Sequence, residues 1–298
     1  MLTLALHHDE SVFVYLSETQ KGKKSIEQLG LFPPDFSFDR SFLYQHNAKD
    51  MLSDMLKEIL DKLKIQAQDV FFSFPADLAY IALYNDVLRE NVKAIVDKDV
   101  WLTELKFGPE LIAQSDCQVK VIYKENGLAL LTSVYYPKMI LELFSSVCED
   151  HHCNLVGIGI NIFNTTEIAK KASKDTEYIV IGFKKNEYEL VSVHNDNVLG
   201  YARFSYINDH LLYIARNGKI PEGLCEAVVQ KNAAELDKYR IFLTGESQCL
   251  KDMNDLVEAQ PDIVILNPMN INTSYQKPSV AYDKHFDTVF SSALGALI

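Results

Sequence analysis

The chain opens Leu2-Thr3-Leu4-Ala5-Leu6, turns through His7-His8-Asp9-Glu10-Ser11 and returns as Val12-Phe13-Val14-Tyr15-Leu16. Two apolar runs around a short polar segment read as a β-hairpin at the very start. Downstream, Met51, Leu52, Met55, Leu56, Ile59, Leu60 and Leu63 recur at spacings of three and four, with Asn47 and Asp50 placed as an N-cap pair, so an amphipathic helix follows the hairpin. Asp69 to Phe74 is then a buried-type strand, stopped by Pro75. The order is hairpin, helix, strand.

That order returns about 175 residues later, which points to a duplicated architecture. Tyr178 to Ile181 and Glu187 to Val193 flank a polar turn, and Val198 to Phe204 supplies a further strand. Residues 222 to 236 read as a helix, Arg240 to Leu243 as a strand closed by Thr244-Gly245, residues 247 to 259 as a helix and Asp262 to Leu266 as a strand. Two α/β lobes are therefore expected, 1–176 and 177–298. Within the first, residues 76–136 carry extra strands and a helix that read as an inserted α+β subdomain. A helix bearing Ile140, Leu143, Phe144 and Val147 on one face, the strand Asn154 to Ile160 and a helix from Thr165 to Ala172 complete it.

The composition narrows the function. Of 298 residues, 48% are hydrophobic and 23% charged, the balance of a globular protein, and the formal net charge of −12 opposes binding to nucleic acid or anionic lipid. No run approaches the length of a membrane span, and the N-terminus lacks the basic and apolar segments of a signal peptide. Five scattered cysteines, Cys117, Cys148, Cys153, Cys225 and Cys249, fit free thiols, so a cytoplasmic location is expected, without direct membrane insertion.

These elements, in this order, resemble the actin-like ATPase superfamily, and within it the branch of FtsA and the PilM-type pilus-assembly proteins. The resemblance rests on the hairpin, the strand-Pro unit at 69–75, the stretch Val119 to Phe144, and the run from Ile241 through Thr244-Gly245-Glu246-Ser247 to Asn267-Pro268, with the small residues Ala293, Gly295 and Ala296 near the end. It implies a two-lobed actin-like, ribonuclease H-like α/β fold with the α+β subdomain inserted in the first lobe. It also implies a nucleotide held by two hairpin phosphate loops, each beginning Asp-x-Gly, and by glycines on the adenosine side. Glycine lets backbone N–H groups approach phosphate, and aspartate organises Mg²⁺.

Here the sequence departs from the pattern. Leu6 and His8 stand near the Asp and Gly of the first loop, Phe13 stands where a Lys is often found, and Gly182 and Lys184 stand near the Asp and Gly of the second. The third element keeps Gly245 but follows it with Glu246. The resemblance therefore implies a non-catalytic, cytoplasmic PilM-like scaffold that binds a protein partner, such as a cytoplasmic segment of a membrane protein, with no cofactor. The alternative is an actin-like ATPase with shifted phosphate ligands, among them Asp9, Ser11, Gly182 and Gly245. A sugar-kinase reading lacks its phosphate loop and catalytic aspartate.

Other clusters read plainly. His7, His8, Asp9 and Glu10 alternate in direction along a strand and turn, so they read as a solvated turn rather than a metal site. The stretch from Cys148 to Cys153 matches no zinc-ligand spacing and reads as a helix end. Lys184 and Lys185 read as a solvated turn. No Gly-x-Ser-x-Gly turn places a nucleophile, so no catalytic residue is expected. If the thiols are free, adding reductant leaves the thermal midpoint unchanged; a fall in the midpoint on reduction would reveal a structural disulfide.

Overall fold

The structure is a computed structural model that describes residues 1–8, 11–18, 24–32, 35–66, 68–107, 115–124, 126–184, 187–208, 210–245, 247–268 and 290–295. Leu2–Leu6 (β1) is buried along its whole length, because it is flanked on both sides by strands and covered on both faces. It pairs antiparallel with β2 (Ser11–Glu18), matching Leu2 to Tyr15 and Leu6 to Ser11, and parallel with β4 (Asp69–Phe74), matching Leu4 to Phe72. With β3 (Lys24–Phe32) and β8 (Asn154–Ile160) it forms a five-stranded sheet in the order β3-β2-β1-β4-β8.

The expected helix runs Ala48–Leu63 and buries Leu52, Met55, Leu56, Ile59 and Leu60. The predicted cap is not made: the Asn47 side chain has no capping hydrogen bond, and the helix is defined instead by its apolar face. It ends at Lys64, whose left-handed backbone (φ 54°) turns the Lys64 N–H back to Asp61 O. The helix Lys138–Asp150 buries Ile140, Phe144, Val147 and Cys148. Phe144 stacks on Phe72 of β4 at 4.3 Å and on Phe38 at 5.8 Å, which is where part of the phenylalanine content goes. The helix after β8 begins at Asn161, four residues before the expected start, and continues to Ala172.

The second sheet repeats the first. Its strands are β9 (Glu177–Lys184), β10 (Glu187–His194), β11 (Asn197–Ile207), β12 (His210–Gly218), β13 (Ile241–Gly245) and β14 (Ile263–Ile265). Their order is β12-β11-β10-β9-β13-β14. Without β12, each sheet places its own strands as third, second, first, fourth, fifth. In both, the first strand is antiparallel to the second and parallel to the fourth. The expected helix at 222–236 is two, Leu224–Gln230 and Ala233–Leu236, because Lys231 adopts φ 52° and stops the first. The expected helix at 247–259 is likewise split, into Ser247–Lys251 and Asn254–Ala259.

In chain order the inserted subdomain lies between β4 and β8. It comprises β5 (Tyr80–Leu88), the helix Val92–Phe107, β6 (Ser115–Tyr123) and β7 (Leu128–Pro137), with sheet order β5-β7-β6. Compactness follows a different line from chain order. One unit comprises residues 1–78, 138–171 and 267–298, and the other 79–137 and 172–266, so the insertion packs with the second sheet. Asp86 of β5 ties it there, accepting hydrogen bonds from Lys124 and Lys219, which together hold its carboxyl down to about 2.

The insertion has a small core of Val87, Ala129 and Leu131 with Ile95 and Val96 against it, and among its described residues it buries one acid, Asp99. Burial pushes the Asp99 carboxyl above its ordinary range, although Tyr84 Oη donates a hydrogen bond to it. A raised folded pKa means the folded state holds the proton more tightly. The stability this provides is present in acid and is lost as pH rises from the ordinary value of about 4 through the raised one. Asp99→Asn, which keeps an acceptor for Tyr84 and removes the charge, should raise the thermal midpoint at pH 7 and give no gain near pH 3. An equal effect at both pH values would contradict this.

Candidate functional site

In parallel sheets, ligands bind beyond the carboxyl ends of the strands, so the ends of β1, β4 and β8 are the first place to look. Leu6, Ser73 and Asn161 meet there. Asn161, almost fully buried, donates from Nδ2 to Leu6 O at 2.6 Å and accepts at Oδ1 from Ser73 Oγ. Asn164, one turn on, donates from Nδ2 to Ser73 Oγ at 2.8 Å. The side chain of Asn161 thus satisfies the last carbonyl of β1 and fastens it to β4.

The two histidines join this arrangement, which corrects their reading as a solvated turn. His7 Nε2 lies 3.3 Å from Ser292 Oγ and His7 Nδ1 lies 3.4 Å from Asn161 Nδ2. His8 Nε2 lies 3.3 Å from Asp77 Oδ2, just after β4, with the Asp77 side chain only 14% exposed. The C-terminal helix Ser291–Gly295 packs beside β1 and β2, with Ala293 fully buried. A Cβ on Gly295 would fall 1.7 Å from Asn164 O, so the small-residue pattern serves close helix packing. Ala296 lies outside the described residues, as do Asp9, Glu10, Lys185 and Glu246.

Ser11 opens β2 opposite Leu6, and its hydroxyl is fully buried with no hydrogen-bond partner among the described residues. The structure brings Ser11 to the first hairpin, and Gly182 and Gly245 together on the second sheet. Gly182 lies beside Thr244, and Gly245 beside Phe183. Gly245 has φ +118°, and a Cβ there would meet Phe183 O at 2.2 Å. Its glycine is therefore required by the β9–β13 backbone approach itself.

The second hairpin is charged and closed. Glu189 stands directly across from Gly182 with 4% of its surface exposed, and Lys184 Nζ lies 3.3 Å from its carboxylate. Beside it Glu187 takes Arg203 in a bidentate pair, with Nη2 to Oε2 at 2.9 Å. Lys184 is thus part of an internal ion pair and not a solvated turn lysine. A Mg²⁺-bound nucleotide needs carboxylates toward the metal and donors toward phosphate. Among the described residues, Asp77 is engaged by His8 and Lys184 by Glu189, so these two side chains do not fit that group.

The remaining candidates are absorbed by packing. His151 Nε2 lies 2.8 Å from Ser53 Oγ of the helix Ala48–Leu63, and burial pushes the Cys148 thiol up to about 12. Cys148, Cys153, Cys225 and Cys249 are free thiols, and among the described residues no three His, Cys, Asp or Glu side chains converge as a metal would need. A cavity of about 330 Å³ opens at the amino ends of β9 and β13, at the opposite end of these strands from Gly182 and Gly245. Its cations Lys219, Lys238 and Arg240 are paired with Asp86, Glu235 and Asp262 at 2.7, 2.6 and 3.2 Å, so it offers no net attraction for an anion.

The duplicated strand order has a counterpart among solved structures. One described as a PilM-PilN type IV pilus biogenesis complex is similar over 99% of this chain and 96% of that one, with a TM-score of 0.66 at 12% identity. The fold is actin-like. Weaker likenesses, both with TM-scores of 0.45, are to a Bacteroides thetaiotaomicron protein with actin-like ATPase fold and unknown function, and to the cytoplasmic domain of EpsL, an inner membrane component of the Vibrio cholerae type II secretion system. The first is 11% identical and covers 90% of each chain; the second is 8% identical and covers 98% of this chain and 94% of that one. No family model and no curated protein matches the sequence.

Sequence reasoning singled out Leu6, His8, Gly182 and Lys184 and did not single out Asn161, Ser73, Asp77 and Glu189, which the structure places beside them. Gly245→Ala should destabilise the protein by about 2 kcal/mol whether or not nucleotide is present, from positive-φ strain and the clash with β9. A variant with an unchanged denaturation midpoint would contradict the packing role.

Proposed function

We propose that this actin-like chain is a PilM-like scaffold that acts in the cytoplasm by binding a protein partner and does not turn over ATP. The observation that carries the reading is the Lys184–Glu189 ion pair, with Glu189 buried opposite Gly182, in the hairpin that would receive phosphate. A buried carboxylate there repels phosphate, and its lysine is already committed. The His8–Asp77 pair supports the same reading at the first hairpin. The likeness over nearly the whole chain to a structure described as a PilM-PilN complex supports a protein partner, here read as a cytoplasmic segment of a membrane protein. A surface with net charge −12 disfavours nucleic acid, and among the described residues no helix is long and apolar enough to cross a membrane.

One observation favours the second reading, an ATPase with shifted phosphate ligands: the unpartnered, buried Ser11 hydroxyl at the first hairpin. The two readings separate in a thermal-shift titration with Mg-ATP. A ligand bound only by the folded state at a hundred times its Kd adds about 2.7 kcal/mol of stability, so binding is visible as a saturable rise in midpoint. The scaffold reading expects no rise at millimolar Mg-ATP. A saturable rise that Ser11→Ala abolishes would replace it with the second.

A further inference from the structure

The six-stranded sheet ends in a strand that the sequence did not announce. Among the described residues, β12 pairs with β11 alone; its Gly218 end packs against β5, where a Cβ on Gly218 would lie 3.0 Å from Leu83, but no backbone hydrogen bond reaches the other edge of the strand. Edge strands are ordinarily blunted by lysine, proline or cover. Here the middle of the strand is Leu212-Tyr213-Ile214, exposed by 49, 39 and 47%. Ile207, at the end of β11, is 51% exposed and continues the apolar surface.

An aromatic row runs across the sheet to this edge. Phe183 of β9 meets Tyr188 of β10 at 5.5 Å, Tyr188 stacks on Phe204 of β11 at 5.2 Å, and Phe204 meets Tyr213 of β12 at 6.2 Å. Phe183 and Phe204 are buried, and the row breaks off at Tyr213, whose ring is covered from one side by the Arg216 guanidinium at 5.0 Å. Cross-strand aromatic pairs are a principal source of sheet stability, so the free edge offers a strand both a hydrogen-bonding ladder and an aromatic neighbour.

We infer that the free edge of β12 docks an extended segment of another protein, one that carries an aromatic residue to continue the row beyond Tyr213. The unpaired backbone selects a strand, and the exposed Leu212 and Ile214 select β-branched side chains, which present a methyl group, beside that aromatic. A second copy of this chain fits less well. Antiparallel pairing centred on Tyr213 sets Arg216 against the other copy's His210, which brings no negative charge.

The inference rests on the scaffold reading's claim that the chain works by binding protein, and it places the surface on the second sheet. Its test is hydrogen exchange on the full chain, with a soluble ten-residue peptide of alternating Phe and Thr and a Glu at each end. The control peptide has Pro in place of each Thr and cannot complete the ladder. The first peptide should slow exchange of amides within residues 210–217 by about tenfold or more, and the control should not. Tyr213→Ala should remove the protection, and Ile214→Lys, on an exposed side chain, provides a second variant should the first misfold. Amides unaffected by millimolar peptide, or already protected in its absence by a second copy or by the chain itself, would overturn the inference. ATP binding would defeat the scaffold reading while leaving this protection intact, so the two failures are distinguishable.

Discussion

Each sheet is organised around one parallel pairing, β1 on β4 and β9 on β13, beside one antiparallel hairpin. That arrangement buries the first strand on both faces, so Leu2–Leu6, apart from the buried Thr3, and most of Glu177–Lys184 are apolar. It also requires the chain to leave and return through helices, which cover the sheet, and it gathers the carboxyl ends of the parallel strands together. Polar groups at those ends are then shut away from water and must be satisfied by one another.

The two sheets meet that demand differently. In the first, side-chain amides, hydroxyls and an imidazole do so beside the His8–Asp77 pair: Asn161 bridges Leu6 O and Ser73, Asn164 backs Ser73, and His7 reaches Asn161 and Ser292. In the second, a charge pair does so, with Lys184 on Glu189. In a buried setting, one partner of such a pair cannot be withdrawn cheaply, because removing it leaves an uncompensated charge. An incoming phosphate would compete with Glu189 for Lys184 and face that carboxylate across the hairpin. On the scaffold reading proposed above, the same interaction that completes the fold works against phosphate binding at this hairpin.

Much of the architecture was legible because hydrophobic period carries it. The hairpin, the helix at 48–63 and the strands at 69–74 and 154–160 all lie where the apolar pattern puts them. The strands β3 and β12 were not legible, since both are edge strands under weaker demand for alternation. Glu27, Gln28 and Gly30 interrupt β3, and β12 carries an unbroken, non-alternating apolar run from Leu211 to Ala215. The site was less legible than the fold. Asn161 lies 88 positions from Ser73 and 154 from His7, and only the strand order brings them together. Lys184 and Glu189, by contrast, are five apart across a hairpin, a spacing that signals a diagonal cross-strand pair once the turn is placed.

A double-mutant cycle on that pair is the most direct measurement of whether the hairpin satisfies its own charge. Lys184→Met, Glu189→Gln and the double variant would be unfolded by denaturant with and without millimolar Mg-ATP. An internally closed hairpin predicts a coupling of about 1 kcal/mol or more that nucleotide leaves unchanged. A coupling near zero, or one that Mg-ATP alters, would show that Lys184 is free to meet a ligand and would contradict it.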